Sequence, residues 1–407
     1  MCTQRNLTYY PLQYCPIDVD RGVLPLLFPG VHNHLLCFVD IECEVIGEML
    51  LPTLTTWDRL VDCELTYESC ETLASALQTP NSPLRELDLS YNDLGDRGVE
   101  LLCVGLTSPL CNIQTLVLDD CYLTYKSCEI LTSALQTPNS PLRELDLSYN
   151  DLGDRGVELL CVGLTSPLCN IQTLVLVDCE LTYESCETLA SALQTPNSPL
   201  RELDLSYNDL GDRGVELLCD GLTSPLCNIQ TLVLVDCKIT HESCETLTSA
   251  LQTPNSPLRE LDLSYNDLGD RGVELLCVGL TSPLCNIQTL VLVDCKITHE
   301  SCETLTSALQ TPNSPLRELD LSYNDLGDRG VEMLCVGLTS PLCNIQTLVL
   351  GQCGLTEVCC SDLASVLSSP ISQLKQLELR DNDLQDSGVT LLSAGLEDPD
   401  CKLHTLG

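Results

Sequence analysis

The residues best suited to catalysis are the five histidines, and two of them follow a repeating pattern. His241 and His299 lie 58 residues apart in nearly identical sequence, and earlier copies of that segment carry Tyr125 and Tyr183 at the same position. Catalysis by histidine needs one environment and a fixed partner, so exchange with tyrosine indicates a surface position. Asp and Glu recur in register without converging, and no nucleophile elbow, zincin motif or phosphate loop occurs. We therefore predict a protein without enzyme activity and without a cofactor.

Of the 28 cysteines, 20 fall into five sets of four that follow the same repeating pattern rather than a metal-binding or disulfide spacing. The first of five similar sets consists of Cys63, Cys70, Cys103 and Cys111. No Cys-x-x-Cys or Cys/His finger spacing occurs, which argues against zinc. Cysteines placed by repeat register behave as small buried apolar residues, and only Cys359 and Cys360 break the register. We therefore expect reduced thiols, no metal site and a cytoplasmic location.

Acidic residues dominate the charge of the chain. The 59 Asp and Glu stand against 19 Lys and Arg, which gives a formal net charge of −40. Such a field repels nucleic acid and anionic membranes and favours a basic protein partner. The simpler interpretation is that the charge only keeps a long protein soluble. No segment before residue 55 reaches the ~20 apolar residues of a membrane span, and the first residues lack the features of a signal peptide.

An internal repeat positions all of these residues. Leu142–Leu152 reads LRELDLSYNDL, and Asn170–Leu181 reads NIQTLVLVDCEL. Both follow LxxLxLxx(N/C)xL, so an Asn-type and a Cys-type repeat of 29 residues alternate in units of 58. Further Asn-type copies begin at Leu84, Leu200, Leu258, Leu316 and, more loosely, Leu374. We assign residues 55–407 to this repeat. Residues 1–54 match neither type and are assigned to a separate segment, which is a cap, the remnant of a neighbouring domain or sequence that does not fold well.

The apolar period within a repeat changes from 2 to 3.6. Leu145 and Leu147 are predicted to point inward from a short strand, with Glu144, Asp146 and Ser148 pointing outward. The first strand should be degenerate, because Asp58 replaces the central leucine there. Asn150 carries donors and an acceptor, so it should satisfy loop backbone groups of adjacent repeats, and Cys179 should fill the same position more weakly.

A helix is predicted after each strand, and breakers such as Thr165-Ser166-Pro167 end it. Asp154 is the expected cap of the helix in the Asn type, and Thr182 is the expected cap in the Cys type. Helices are about twice as wide as the ~4.8 Å strand spacing, so a stack of such units must curve. The fold prediction is an α/β solenoid or horseshoe, with a parallel sheet on the concave face and helices on the convex face.

The alternation of LRELDLSYNDLGDRGVELL with a Cys-type repeat resembles the ribonuclease-inhibitor class of leucine-rich repeats. It is most similar to the repeat region of vertebrate cytosolic NOD-like receptors. That resemblance implies a non-catalytic protein–protein interaction scaffold, with a ligand-sensing or autoinhibitory role in innate immunity. A ribonuclease-inhibitor-like protein that binds a basic enzyme is the first alternative. Because no GxxxxGK[ST] loop occurs, a truncated product that lacks its nucleotide-binding domain is the second. The match of residues 401–407 to the start of a repeat fits either a closing cap or a fragment.

Two groups of residues are candidates for partner binding. The first group comprises outward strand acids, which should form acidic columns on the concave face: Glu144, Asp146, Glu202, Asp204, Glu260 and Asp262. Their alternative role is only to hold solvent.

The second group varies between copies, just past the Cys-type strands. One column contains Asp119, Val177, Val235 and Val293. The next contains Glu64, Tyr122, Glu180, Lys238 and Lys296, and the third contains Tyr67, Tyr125, Tyr183, His241 and His299. If individual repeats discriminate a ligand, we expect these rim positions to do so, since binding residues concentrate on loops held by a rigid scaffold. Drift among duplicated copies is the alternative.

Overall fold

The computed structural model describes residues 57–407, and this part of the chain is a regular series of strands and helices. The predicted N-terminal segment, residues 1–54, lies outside the described residues. The first strand forms despite its degenerate sequence, because Asp58 pairs through its backbone with Leu87 of the next strand. Strand pairing uses backbone groups, so it does not require leucine at that position.

Between residues 57 and 407, thirteen strands form one sheet in sequence order, and each pairs in parallel with the next. They are β1 (Trp57–Arg59), β2 (Glu86–Asp88), β3 (Thr115–Val117), β4 (Glu144–Asp146), β5 (Thr173–Val175), β6 (Glu202–Asp204), β7 (Thr231–Val233), β8 (Glu260–Asp262), β9 (Thr289–Val291), β10 (Glu318–Asp320), β11 (Thr347–Val349), β12 (Gln376–Glu378) and β13 (Thr405–Leu406).

One helix connects each strand to the next. The helices are α1 (Tyr67–Leu77), α2 (Gly95–Leu106), α3 (Tyr125–Leu135), α4 (Gly153–Leu164), α5 (Tyr183–Leu193), α6 (Gly211–Leu222), α7 (His241–Leu251), α8 (Gly269–Leu280), α9 (Glu300–Leu309), α10 (Gly327–Leu338), α11 (Cys360–Leu367) and α12 (Gln385–Leu396). Over residues 57–407 the predicted α/β horseshoe is confirmed, with the parallel sheet on its concave face and the helices on its convex face.

The core lies between the sheet and the helices. Leu145 and Leu147 are buried from the strand side, as predicted. The helix stripe of Val157, Leu160 and Leu164 is buried from the other side. Ser148 was expected to face outward, but it is only 3% exposed. Its hydroxyl donates to Asp146 at 2.6 Å and accepts the backbone N–H of Val177 at 3.2 Å, so it closes the end of the strand instead.

Asparagine side chains connect neighbouring repeats where the strands end. Asn208 is buried, and its Oδ1 accepts the backbone N–H groups of Cys179 and Leu181 at 3.0 Å each. Its Nδ2 donates to the carbonyl groups of Leu176, Leu205 and Ser206 at 2.7–3.1 Å. One side chain therefore satisfies backbone groups of two repeats, which confirms the predicted role of this position.

Cysteine occupies the same position with fewer bonds. The Cys179 thiol lies 3.3 Å from the Leu147 carbonyl oxygen and 3.5 Å from that of Val177. The cysteines between residues 57 and 407 other than Cys63 are free thiols, and every cysteine of this range except Cys401 is buried. Burial raises the pKa of Cys161 to about 12, so its reactive thiolate is suppressed at neutral pH.

The cap of the Asn-type helix differs from the prediction. Asp154 lies in the first turn of α4 but does not cap it. Its carboxylate accepts the Thr182 backbone N–H at 2.9 Å, the Thr182 hydroxyl at 2.7 Å and the Ser185 N–H at 3.2 Å. Asp154 therefore supports the start of α5 in the next repeat, together with the predicted cap, Thr182. The partner lies 28 residues away, so the sequence pattern of a single repeat could not reveal it.

Asp212 is the copy of Asp154 in the next unit, and its pKa shows the electrostatic effect of this contact. Partial burial raises the pKa of Asp212, but hydrogen bonds from Ser243 and Thr240 outweigh that effect and set the pKa below its usual value. The ionised carboxylate is therefore the form that the folded chain stabilises. Each of these contacts joins an Asn-type helix to the Cys-type repeat that follows it.

Replacing Asn208 with Ala should lower the free energy of unfolding by several kcal/mol. The change leaves the amides of Cys179 and Leu181 without an acceptor, at about 1–3 kcal/mol for each unsatisfied group. Cys237→Ala is the matched control in the next repeat and should cost only about 1 kcal/mol. Urea unfolding measures the loss of stability in both variants. Hydrogen exchange of the Leu181 amide tests whether the loss in Asn208→Ala arises at the amides that Asn208 bonds. Equal losses in the two variants would contradict the expectation that the Asn position contributes more to stability than the Cys position.

Thiol titration of freshly isolated protein should find reduced cysteines. With the chain denatured under non-reducing conditions, the titre should approach the 28 cysteines of the sequence. Without denaturant, few thiols should react, because burial and a raised pKa both oppose thiolate formation. Oxidation of most cysteines in the isolated protein would refute the interpretation of these residues as buried apolar ones.

Candidate functional site

The strand acids do not form the continuous columns that the sequence suggested. Thr173 of β5 lies between Glu144 and Glu202 in the sheet register. Val175 separates Asp146 from Asp204 in the same way, and the pattern continues to Glu260 and Asp262. Like charges are therefore two strand spacings apart, roughly 10 Å, rather than one. This alternation lowers the repulsion that we expected, since ~8 Å screening at physiological salt already weakens it.

The two acidic positions differ in exposure. Glu202 and Glu260 are exposed on the sheet, whereas Glu144 is half-buried. The Thr173 hydroxyl donates to Glu202 at 3.2 Å and so orients its carboxylate from the preceding strand. The glutamates are thus the strand acids that a partner can reach.

The aspartates are more shielded. Burial raises the pKa of Asp262 to about 6, although hydrogen bonds from Ser264 oppose that effect. Burial also raises the pKa of Asp146 and of Asp204. The aspartate contribution to the negative field should therefore weaken as the pH falls towards 6.

Asp119 is unlike its copies in the first rim column. It replaces the residue that is Val177 in the next Cys-type repeat, and Val177 is only 2% exposed. The Oδ1 atom of Asp119 is buried and lacks a hydrogen-bond partner, whereas Tyr91 bonds the carboxyl group. Burial and the nearby Asp146 carboxylate raise the pKa of Asp119 to about 7. The position is therefore an interior irregularity at the strand end rather than a fully exposed contact residue.

The second rim column is exposed, and its charge changes from acidic at Glu180 to basic at Lys238 and Lys296. Tyr122, Glu180, Lys238 and Lys296 all lie in loops and all have left-handed backbone angles. Lys238 Nζ lies 2.9 Å from Asp209 Oδ2, and Lys296 forms the same ion pair with Asp267 at 2.6 Å.

Glu180 occupies the equivalent position one unit earlier, where it faces Asp151. The Asp151 carboxylate raises the pKa of Glu180, because two like charges share the place that holds an ion pair in later units. The two later units neutralise this part of the rim, and the Glu180 unit does not.

The third rim column lies apart from the strand acids, where the helices begin. Tyr125, Tyr183 and His241 are the first residues of α3, α5 and α7, and all three are exposed. His299 immediately precedes α9, and its Nε2 lies 3.3 Å from Arg329 Nη1. Their exchange of tyrosine for histidine fits this surface position.

A tyrosine column on the concave rim was missed by sequence reasoning. It occupies the position before the strand-end Asn in five of the six Asn-type repeats and contains Tyr91, Tyr149, Tyr207, Tyr265 and Tyr323. Tyr207 is 40% exposed and has a φ of 59°, which its backbone N–H supports by donating to the Val235 carbonyl at 2.7 Å. The predicted rim columns are those that vary between copies, whereas these five tyrosines do not vary. An aromatic residue at the strand end of five of the six Asn-type copies, with Asp381 in the sixth, was the available signal.

The arrangement of these side chains can support surface recognition. Carboxylates and tyrosines at the strand ends can bind cationic groups by charge and by cation–π contact. Between residues 57 and 407, no group of His, Cys, Asp and Glu is arranged to hold a metal ion. Within the same range, no helix has the length and apolarity that crossing a membrane would require.

Comparisons with known proteins identify the repeat. A family profile described as "Leucine Rich repeat" matches residues 81–103, 139–161, 197–219, 255–277, 313–335 and 373–393, which are the Asn-type repeats. Ribonuclease inhibitor from Sus scrofa is 47% identical over 92 residues, or 21% of this chain and 20% of that protein. Human NACHT, LRR and PYD domains-containing protein 12 is 48% identical over 81 residues, or 20% of this chain and 7% of that protein.

The matched segments thus span a fifth or less of these relatives. Among solved structures, an internalin from Listeria monocytogenes gives a TM-score of 0.44 at 16% identity and covers 83% of this chain and 82% of that one. A chain of the yeast Rad7–Elc1 complex gives a TM-score of 0.44 at 21% identity and covers 76% of this chain and 81% of that one.

Replacing Asp119 with Val should stabilise the fold, and more so at high pH. Because the folded-state pKa lies above the usual 3.8, ionisation of Asp119 should destabilise the protein as the pH rises from about 4 to about 7. We expect a gain of about 1–3 kcal/mol above that window, since the unsatisfied buried group is removed. Unfolding by urea across the pH range measures it. Val177→Asp should introduce the same pH dependence one 58-residue unit later, and a pH-independent gain in Asp119→Val would contradict this account.

Proposed function

We propose that this leucine-rich-repeat chain, whose homologues include ribonuclease inhibitors and NACHT, LRR and PYD domains-containing proteins, is a non-catalytic scaffold that binds another protein on its concave face. The observation that carries the proposal is the composition of that face. Glu202 and Glu260 are exposed on the strands, and Asp178 and Asp236 are exposed at the strand ends. A surface of this charge selects a partner with a basic face.

The concave face also supports a large interface. Its strands lie in unbroken register from β2 to β12, so equivalent side chains recur at every second strand. A parallel sheet with its core on one side leaves the other side open to solvent along its whole length. Repeat proteins use such extended concave surfaces for binding. A partner can therefore contact several units at once.

The finer proposal is a ligand-sensing or autoinhibitory repeat region of a NOD-like innate immune receptor. The identity to human NACHT, LRR and PYD domains-containing protein 12 supports it. A cytoplasmic location belongs to the same proposal and is supported by the buried free thiols, which a reducing compartment preserves.

A ribonuclease-inhibitor-like activity is the second candidate. It is supported by the identity to the Sus scrofa ribonuclease inhibitor and by the acidic concave face, which fits a basic enzyme. Pancreatic-type ribonuclease is the direct probe for this candidate. Stoichiometric binding together with loss of ribonuclease activity would favour it over the receptor proposal, and absence of both would exclude it.

Reversing charge on the strands should abolish partner capture, whereas the same reversal on the helices should not. The test variant carries Glu202→Lys and Glu260→Lys. The control carries Glu216→Lys and Glu274→Lys on α6 and α8, where both glutamates are exposed and pair with a nearby Arg. Net charge is the same in the two variants, so only the position of the charge differs. Quantitative mass spectrometry of proteins captured from cytosolic extract measures the outcome.

Basic proteins captured by the parent chain should be lost from the strand variant and retained by the helix variant. They should also elute as salt rises, because the Debye length falls from ~8 Å at physiological salt to ~3 Å at 1 M. Equal loss from both variants would show that net charge alone explains capture. Binding that is insensitive to salt would refute the electrostatic basis of the proposal.

A further inference from the structure

An open cleft of about 320 Å³ lies on the concave rim near the middle of the described sheet. Three successive loops form it, which follow β5, β6 and β7. Its polar lining includes Asp178, Glu180, Tyr207, Asp236 and Lys238. The cleft thus combines an aromatic side chain from the Asn-type loop with charged residues from the Cys-type loops on both sides.

The loops around the cleft are held in place by backbone hydrogen bonds. Asp178 and Asp236, both with φ of 49°, donate from their N–H groups to the carbonyls of Ser206 and Ser264 at 2.9 Å. Tyr207 is held in the same way through Val235 at 2.7 Å. Each loop is therefore fixed by the strand that follows it. A preformed cleft loses less conformational entropy when a ligand enters.

The charge of the cleft selects a cation. Four carboxylates line it, those of Asp178, Glu180, Asp209 and Asp236, against the single ammonium of Lys238. That ammonium is already paired with Asp209 at 2.9 Å. Burial, the neighbouring Tyr149 and the Asp236 carboxylate raise the pKa of Tyr207, which places its ring in a negative environment. A cation over this ring gains both charge attraction and cation–π contact.

In the next unit, a lysine occupies the position that corresponds to Glu180. By the 58-residue register, Tyr265 stands between Lys238 and Lys296 there. Lys296 pairs with Asp267 at 2.6 Å, just as Lys238 pairs with Asp209. In the Tyr207 cleft, Glu180 stands where a lysine would be, and it faces Asp151. The position that holds a lysine ammonium beside Tyr265 therefore holds the Glu180 carboxylate beside Tyr207.

We propose that the cleft around Tyr207 receives an arginine side chain of the basic protein partner. This inference rests on the proposed function. It adds that the partner is anchored by an arginine and that the unit containing Tyr207 binds this arginine. A planar guanidinium stacks on an aromatic ring and bonds carboxylates on two sides, whereas an ammonium is a compact and strongly hydrated point charge. Tyr207 supplies the ring, and Glu180 and Asp178 supply carboxylates on the side that has no lysine.

The test uses the whole chain and two fluorescent peptides, one of alternating arginine and glycine and the other with lysine in place of arginine. Fluorescence anisotropy at physiological salt measures their affinities. Tyr207→Leu should weaken the arginine peptide by about two- to fivefold, which is the loss of one cation–π contact at a partly exposed ring. Glu180→Lys, which installs the side chain of the next unit, should weaken it at least as much. Tyr265→Leu is the matched control, since its backbone φ of 58° equals that of Tyr207 within one degree.

We expect Tyr265→Leu to change the affinity less than twofold and the lysine peptide to bind several-fold more weakly than the arginine peptide. Equal effects of the two tyrosine variants would overturn the assignment to one cleft. Equal binding of the two peptides, with no effect of Tyr207→Leu, would overturn the arginine site and show that the peptides bind by unspecific charge attraction. Both outcomes leave protein capture by the parent chain intact, so failure of this inference is distinct from failure of the proposed function.

Discussion

Satisfaction of backbone polar groups between neighbouring repeats is the constraint on which the described structure depends. A strand of three residues cannot stabilise itself, and its ends expose N–H and C=O groups that are costly to bury unpaired. Asn208 meets that requirement for two repeats with one side chain. Asp154 does the same for the start of the next helix. No repeat is complete alone, because the groups that end its strand and begin its helix are bonded from the repeat beside it.

This dependence explains why the sequence predicted some features and not others. Apolar spacing within one repeat correctly placed the strands, the helices and the buried leucines, because burial follows a local period. The function of Asp154 and the burial of Ser148 were predicted wrongly, since their partners lie in another repeat. The role of the Asn position was predicted correctly, because an amide side chain has enough donors and acceptors to bond the backbone of two neighbouring repeats. For the candidate site, the exposed loop residue Glu180 was identified, but Tyr207 was missed because it does not vary.

The buried core and the candidate binding rim occupy different parts of each unit. The inward leucines and the Asn side chains are repeated almost without change, and they fix the loop backbone to within hydrogen-bonding distance of the next strand. On that backbone, Glu180 is replaced by Lys238 without a change in conformation, since both have φ near 57°. The rim can therefore change sign from one unit to the next while the core remains the same. A scaffold of this kind separates the evolution of recognition from that of folding.

The near-identity of the core has a further consequence for the order of the units. The contacts that Asn208 makes with its preceding repeat are reproduced by Asn150 and Asn266 with the equivalent partners of their own preceding repeats and at nearly the same distances. Nothing in these contacts distinguishes the correct neighbour from the next copy along. Covalent linkage alone encodes the sequence of units, because a skipped unit would have to leave its leucines unburied in an excluded loop. Recombination that adds or removes one whole unit would preserve every internal junction, so the length of the array is free to change by steps while its interior stays constant.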